Sequence, residues 1–566
     1  MLFTTESFRV RRGWRLNIAA ASAVVCVCLA VVPGGSARSS AFPTTERQNA
    51  DVADAIKTVV VGNPQLTALY AGEAFAPLWV DTASRPTRDA RDTLALLAGA
   101  ARDGLDPDDY RADALERSAA ALGATPAPQA AAVAAFDTGL SAGLLLYLRQ
   151  VHMGRVDPRV IGFRMTAPAD EHDFAALVRS ALAAHRITET AAGLAPPLAL
   201  YRGLRGMLAR YRSLAADPTL EAVPPSAASV HPGERYAGLR ALHRLLLALD
   251  DVPADVPAPA ELSAYDGALV EGVKRFQIRH GLQADGVIGK GTQAALRVPL
   301  SLRVRQIELA LERLRWLPHI GDERLLLVNI PMFQLWGWDS IPPIEAPTFG
   351  MGVIVGRALN TQTPVFAEEM RYLIFRPYWN VPSSILRKEI LPTLARDPDY
   401  LRRQDMEIVS GPGDDARAVA MSEESMAGLR RGTLRLRQRP GPKNSLGLVK
   451  FVFPNDHDVY MHGTPAPQLF GRARRDFSHG CVRVEDPVAL AQWALQDQPQ
   501  WTRDRILDAM HATGSQRVSL TRPIQVILFY VTAVVMPEDG TIRFAEDIYG
   551  HDAKLDRALA KRQPSQ

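Results

Sequence analysis

The chain has 566 residues, 47% hydrophobic and 22% charged, with 40 glycines and 41 prolines. At roughly 150 residues per domain, that length suits three or four domains with real cores, and the composition excludes collagen-like, coiled-coil and wholly disordered classes. The formal net charge is +4, most of it from Arg9, Arg11, Arg12 and Arg15, so the remainder is too nearly neutral to argue for nucleic acid as a partner.

Those arginines precede an uncharged stretch, 16–32, in which only Asn17 and Ser22 are polar. A basic segment followed by an apolar one is the pattern of an export signal, and the small residues at 35–37 and 39–41 suit a signal peptidase. The stretch also approaches the length that spans a bilayer. Residues 1–37 are therefore read as a signal peptide or a membrane anchor, which places the rest in the periplasm, in contact with the membrane only through an uncleaved N-terminal segment. Cys26 and Cys28 are each preceded by Val, against lipidation, and Cys481 is left as the one cysteine of the exported part. A lone thiol in an oxidising compartment is either buried or used.

Residues 38–50 read as a flexible leader. From 51 to 230 the sequence is rich in Ala and Leu at helical spacing, as in Leu94, Leu97, Ala101 and Leu105 around a stop at Gly104. This predicts a helical scaffold domain whose apolar stripes form core. Its last helix runs over 198–214 and gives way to a Pro/Ser/Ala linker. Residues 233–297 form a compact unit with stripes at Tyr236, Leu239, Leu242, Leu245 and Leu246 and at Leu269, Val273 and Phe276. Gln277, the glycines of 281–289, Thr292 and Leu296 follow, with Thr292 placed to assist the start of a last short helix. These residues resemble the three-helix peptidoglycan-binding domain, which implies a cell-wall substrate but no particular reaction.

After Val298 the texture turns to β: short β-branched or aromatic runs at 325–330, 352–355, 372–375, 448–453, 459–462 and 524–530, bounded by Pro, Gly and Asn. A mainly β domain is expected over 301–555, then a tail over 556–566. A charged segment, 397–437, with a helix near 423–431, interrupts the β pattern as an inserted lid.

The chemistry concentrates in two runs, VYMHGTP at 459–465 and SHGCVRV at 478–484. A thiol with the ordinary pKa is mostly protonated at neutral pH, so Cys481 as a nucleophile needs a nearby base, and His462 at the end of a strand can supply it. Gly480 permits a tight turn in which the N–H groups of His479, Gly480 and Cys481 could point at one spot, as an oxyanion hole requires. Asp486 and Pro487 read as N-cap and first residue of a helix over 488–495. Arg483 is placed to hold a carboxylate or carbonyl by charge-assisted hydrogen bonds.

With 378–382 and 440–447 upstream, these runs closely resemble the catalytic domain of the L,D-transpeptidases of the YkuD type, whose signature is a His, a spacer and then Ser-His-Gly-Cys. The 15 residues between His462 and Ser478 fall inside the family's spacing. The domain order is similar to the large periplasmic subtype, related to enterobacterial beta-lactam-bypass enzymes, although Gly463 stands where that subtype often has Asp. The resemblance implies a multidomain α+β protein: a helical N-terminal scaffold, a three-helix peptidoglycan-binding module and a mainly β L,D-transpeptidase catalytic domain with an inserted helical lid.

It further implies that Cys481 forms a thioester from a tetrapeptide stem with release of D-Ala. The side-chain amine of a second stem then attacks to give a 3-to-3 crosslink, in cell-wall organisation and cell shape, with beta-lactams of the carbapenem type acylating Cys481. His462 is the base, His479 orients the turn or stabilises charge, and Ser478 fixes an imidazole. Gly480 shapes the turn, and Arg483, Tyr460, Trp379 and Asn444 contact substrate. No metal or other cofactor is required, and other cell-wall synthesis enzymes are candidate partners. An L,D-carboxypeptidase or a protein-attaching transpeptidase would share the acyl-enzyme. His457, between Asp456 and Asp458, reads as a solvated turn residue. With His462, His479 and Cys481 it also leaves a zinc-dependent hydrolase open, but the paired histidines and general-base Glu of that class are missing. A noncatalytic wall-binding scaffold would need a broken His or Cys, and both are intact.

Overall fold

The computed structural model describes residues 45–561 apart from 166–171, 221, 261–262, 318–322, 341–345, 358–360, 414 and 537. The expected signal or anchor, most of the leader and the end of the tail lie outside the described residues. Within the leader, a helix, Thr45–Val60, already begins, and the expected tail continues a helix, His551–Ala560, that buries Leu555 and Leu559.

The N-terminal region is helical, as its periodicity implies. Helix Ala130–Met153 is long and apolar enough to cross a membrane, yet Phe136, Leu140, Leu144 and Leu148 are buried in a core shared with Leu69, Leu94, Leu97 and Trp79. Its polar residues are partnered: Asp137 accepts from the Leu78 and Trp79 N–H groups and from the Tyr70 hydroxyl. Helix Arg88–Ala98 yields to a 3-10 turn that stops at Gly104, whose φ of +69° is the left-handed conformation glycine adopts without strain. This core closes at Leu194. The next helix, Ala199–Ala216, belongs elsewhere: it buries Tyr201, Leu204, Leu208 and Tyr211 in a second core, packed along helix Leu300–Leu314. The expected single unit 51–230 is thus divided between two cores, because periodicity reveals that a face is buried but not what covers it.

Residues 233–297 fold into helices Leu239–Ala248, Gly267–Arg279 and Lys290–Leu296. The N-cap of the last is Gly289, so Thr292 sits inside the helix, where its hydroxyl donates to the Val287 carbonyl and meets Gln277 Nε2. The buried Gln277 also accepts from the Gly286 N–H and so ties the glycine turn to the middle helix. Helix Leu300–Leu314, absent from the expected β texture, is the spine of the molecule. Its buried Glu312 accepts from the Val156 N–H and pairs with Arg315, which reaches Tyr201 and the Asp103 carbonyl. On another side Arg313 pairs with Asp552.

The C-terminal domain is built on β1 Leu325–Asn329, β2 Gln334–Trp338, β3 Phe349–Gly356, β4 Phe366–Phe375, β5 Val449–Val452, β6 Met461–His462, β7 Asp476–Ser478, β8 Val482–Val484 and β9 Gln516–Phe529. Among the described residues these form one sheet in the order β7-β3-β8-β6-β5-β4-β9-β1-β2, and β2 also pairs with β3, closing it on itself. Most rungs are antiparallel; β1 with β9, β3 with β7, and β6 with β8 are parallel.

The insertion is larger than its charge pattern suggested. It starts with the strand Trp379–Asn380, which pairs with Arg435–Gln438, and holds a small core of Leu386, Ile390, Leu394, Leu401, Ile408, Leu429 and Leu436. Residues 383–403 supply half of that core from short helical turns, which charge alone did not reveal. The helix expected near 423–431 is Glu423–Arg431, with a capping box between Ser422 and Ser425.

Candidate active site

The site is a consequence of one parallel strand pair. In β6 and β8, Met461 faces Val482 and His462 faces Arg483, while the N–H of Val482 bonds to the carbonyl of Tyr460. Side chains alternate along a strand. Met461, Val482 and Val484 therefore enter the core, all fully buried, and Tyr460, His462, Cys481 and Arg483 share the opposite face. Two short runs, with 15 residues between His462 and Ser478, thus become neighbours through register.

His462 is only 4% exposed, and its Nδ1 lies 2.6 Å from the carbonyl of Gly463. Nδ1 must therefore carry the hydrogen and donate it, which leaves the Nε2 lone pair to accept a proton. Any residue at 463 offers that carbonyl, so the departure at Gly463 does not disturb the arrangement. Burial, then the Arg483 charge, bring the imidazole down to about 3, so it is neutral at neutral pH. Burial likewise pushes the Cys481 thiol up, against the opposing pull of the Tyr460 N–H, the Lys450 charge and the Tyr460 hydroxyl. At neutral pH the thiol is protonated and the imidazole neutral, and Cys481 Sγ itself lies 3.7 Å from the Asp458 carbonyl. Lys450 Nζ sits 3.7 Å from the centre of the Tyr460 ring.

Local contacts lock the turn that carries Cys481. Gly480 has φ +119°, a conformation side chains rarely adopt. The Ser478 hydroxyl donates to the Cys481 carbonyl at 2.6 Å and accepts from the Gly480 N–H at 3.1 Å. Ser478 therefore closes the turn on itself and does not hold an imidazole, a correction to its expected role. The Gly480 N–H is engaged, so of the three expected donors only the N–H groups of His479 and Cys481 carry no backbone hydrogen bond among the described residues. Behind the turn, the Thr363 hydroxyl donates to the Gly480 carbonyl and accepts from Gly356, while the Tyr549 hydroxyl donates to the Gly356 carbonyl and accepts from the Thr363 N–H.

The other expected residues are placed differently. Asn444 is 1% exposed and does not face a ligand: its amide donates to the carbonyls of Pro377 and Arg439 and its oxygen accepts from the Leu446 N–H. It holds the loop whose Leu446 carbonyl lies against His462. Trp379 is half-buried in the insertion sheet, opposite Gln438. Tyr460 lies beside the Cys481 thiol, and burial followed by that neighbour raises its hydroxyl pKa. His479 is turned towards the insertion, Nε2 at 2.6 Å from Glu389 Oε1. Arg483 has a buried Nε without a partner and a guanidinium lowered by burial, facing Cys481 and Arg357. His457 is half-buried against Phe366 and not simply solvated. Sequence reasoning missed Thr363, Tyr549, Lys450 and Glu389, each of which reaches the site from a separate element with no local motif to announce it.

Residues 323–518 match the "L,D-transpeptidase catalytic domain" (YkuD), residues 237–296 the "Putative peptidoglycan binding domain" and residues 64–208 the "Scaffold domain". The sequence resemblance is thereby upheld: an L,D-transpeptidase catalytic domain follows a peptidoglycan-binding domain and a scaffold domain. Over 255 residues, 45% of this chain, the sequence is 30% identical to a "Putative L,D-transpeptidase" of Haemophilus influenzae. The chain spans about half the length of that relative, 49%.

Proposed function

We propose that this protein is an L,D-transpeptidase that forms 3-to-3 peptidoglycan crosslinks outside the cytoplasm. The observation that carries the reading is the shared face of Cys481 and His462, with the imidazole oriented by the Gly463 carbonyl. Cys481 Sγ attacks the carbonyl between the L-centre of the third, diamino acid residue and the terminal D-Ala of a tetrapeptide stem, and its proton passes to His462 Nε2. The N–H groups of His479 and Cys481 stabilise the oxyanion. His462 returns the proton to the leaving D-Ala amine, and a thioester remains. The side-chain amine of a second stem then attacks, giving up a proton through His462, and the thiol is regenerated. Because the resting pair is neutral, proton transfer accompanies attack and does not precede it. The cation-rich face of Arg483, Arg357 and Lys450 suits stems bearing carboxylates. The insertion acts as a lid, and the Glu389 contact to His479, two residues before the nucleophile, links lid position to the turn.

Incubation of the purified protein with disaccharide tetrapeptide, followed by mass spectrometry with and without a chelator, tests this. A thioester adduct and dimeric 3-to-3 product that vanish in Cys481→Ala and survive chelation are expected. Tripeptide without dimer would make it an L,D-carboxypeptidase, and activity lost to the chelator would refute the cysteine mechanism.

A further inference from the structure

A cavity of 280 Å³ lies where three parts of the chain meet: the end of helix Ala199–Ala216, the peptidoglycan-binding helices, and the start of helix Leu300–Leu314. Leu214, Leu245, Leu249 and Leu296 line it, and so do His280 and Arg303. Arg303 is 8% exposed. Its guanidinium lies 4.8 Å from the centre of the Phe544 ring, and Nη1 donates to Gln306 at 2.7 Å. Among the described residues no carboxylate pairs with it; Tyr211 and Arg279 are the neighbouring ionisable groups, and burial lowers its pKa.

Among the described residues the rest of the site supplies Arg303 with no ion pair. Arg279 is already neutralised by the buried Asp251. His280 stacks on Phe276 at 3.9 Å between ring centres, and its Nδ1 donates to the Phe276 carbonyl at 2.7 Å. Asp217, the one carboxylate in the lining, is exposed, accepts from the N–H and hydroxyl of Thr219 and makes no ion pair with Arg303 among the described residues. A buried cation without an anion is costly unless a partner arrives. Aliphatic walls around one guanidinium fork match an anionic carboxylate attached to small apolar groups.

We propose that this junction cavity is a second ligand site, separate from the Cys481 face, which binds the free carboxylate end of a peptidoglycan stem peptide at Arg303. The choice of a stem over other carboxylates rests on the peptidoglycan reading above and on the binding-domain helices that form one wall. Occupation would bring the scaffold helix, the binding domain and the spine helix together around one substrate strand.

The test uses the full chain carrying Cys481→Ala, titrated calorimetrically with tetrapeptide stem and with its C-terminal carboxamide. Two stem sites are expected. Arg303→Met should abolish one, weakening it at least tenfold, and Arg483→Met the other; the carboxamide should fill the junction site at least tenfold more weakly than the acid. Arg303→Lys, which keeps the charge without the fork, should bind with intermediate strength. Without ligand, Arg303→Met should melt at the same or a higher temperature, whereas a fall would mean that Arg303 is a structural residue and overturn the proposal. One site, lost with Arg483→Met alone, would overturn the junction site and leave the transpeptidase reading intact. No stem binding at all would overturn both.

Discussion

Replacing Thr363 with Val removes one oxygen, and with it two hydrogen bonds that hold the nucleophile turn: to the Gly480 carbonyl at 2.8 Å and from the Gly356 N–H at 2.9 Å. Thr363 is 1% exposed, so water does not replace the lost partner. Each net hydrogen bond is worth about 1 kcal/mol, and a buried group left unpaired loses about 1–3 kcal/mol. For two groups the local loss is then about 2–6 kcal/mol, at least about a thirtyfold rise in the opening of the turn. The assay is amide hydrogen exchange at Gly356 and Gly480, with the rate of Cys481 acylation by a carbapenem measured in parallel. Thr363→Val should exchange at least thirtyfold faster at these amides and acylate more slowly, while Thr363→Ser, which keeps the oxygen, should stay within a few-fold of wild type. Unchanged exchange in Thr363→Val would refute the idea that Thr363 braces the turn.

Asn444→Ala should loosen the loop over 439–447 by about 1–3 kcal/mol, since two carbonyls and the Leu446 N–H lose a buried partner; thermolysin should cut there sooner and the His462-dependent rate should fall. Glu389→Gln replaces the half-exposed carboxylate that meets His479 Nε2, so stability should change by less than about 1 kcal/mol, yet turnover of stems should change while alkylation of Cys481 by a small thiol reagent does not. Deleting 411–432 should alter substrate selectivity more than fold, read by circular dichroism beside product analysis. His551, buried and lowered to about 4, prefers its neutral form in the native state. The unfolded state therefore takes up the proton first, and stability is lost as pH falls from about 6.5 to about 4, by about 3 kcal/mol. Asp137, raised to about 6 by burial, acts in the opposite direction: the native carboxyl protonates first, so its region gains stability as pH falls from about 6 to about 4. Melting curves from pH 4 to 7 should be flatter for His551→Gln and show a steeper acid loss for Asp137→Asn.

Local signals carried well wherever the decisive interaction lies close in sequence. The helix Pro487–Ala494 starts where Asp486 and Pro487 implied, with Asp486 accepting from the Val488 and Ala489 N–H groups, and the helix Glu423–Arg431 matches its expected span. The β runs became strands, and the Cys481 and His462 motifs fell on one face. Roles set by long-range contacts were not legible. The exposed polar look of Asn444 concealed a buried loop clamp, Ser478 turned inward to its own turn, and His479 faced Glu389 from an insertion whose start lay upstream of the charged stretch.

By itself, then, the sequence marked the Cys481 and His462 motifs as candidates and placed many of the helices and strands, because capping and periodicity act within a few residues of one another. The tertiary structure decided which core receives helix Ala199–Ala216, where His462 Nδ1 is anchored, what braces Gly480 and that Arg303 is buried with no carboxylate partner among the described residues. Each of these depends on groups brought together from distant positions by sheet closure and helix packing. An amphipathic stripe or a lone polar side chain states only that a partner is needed, and the fold alone supplies its identity.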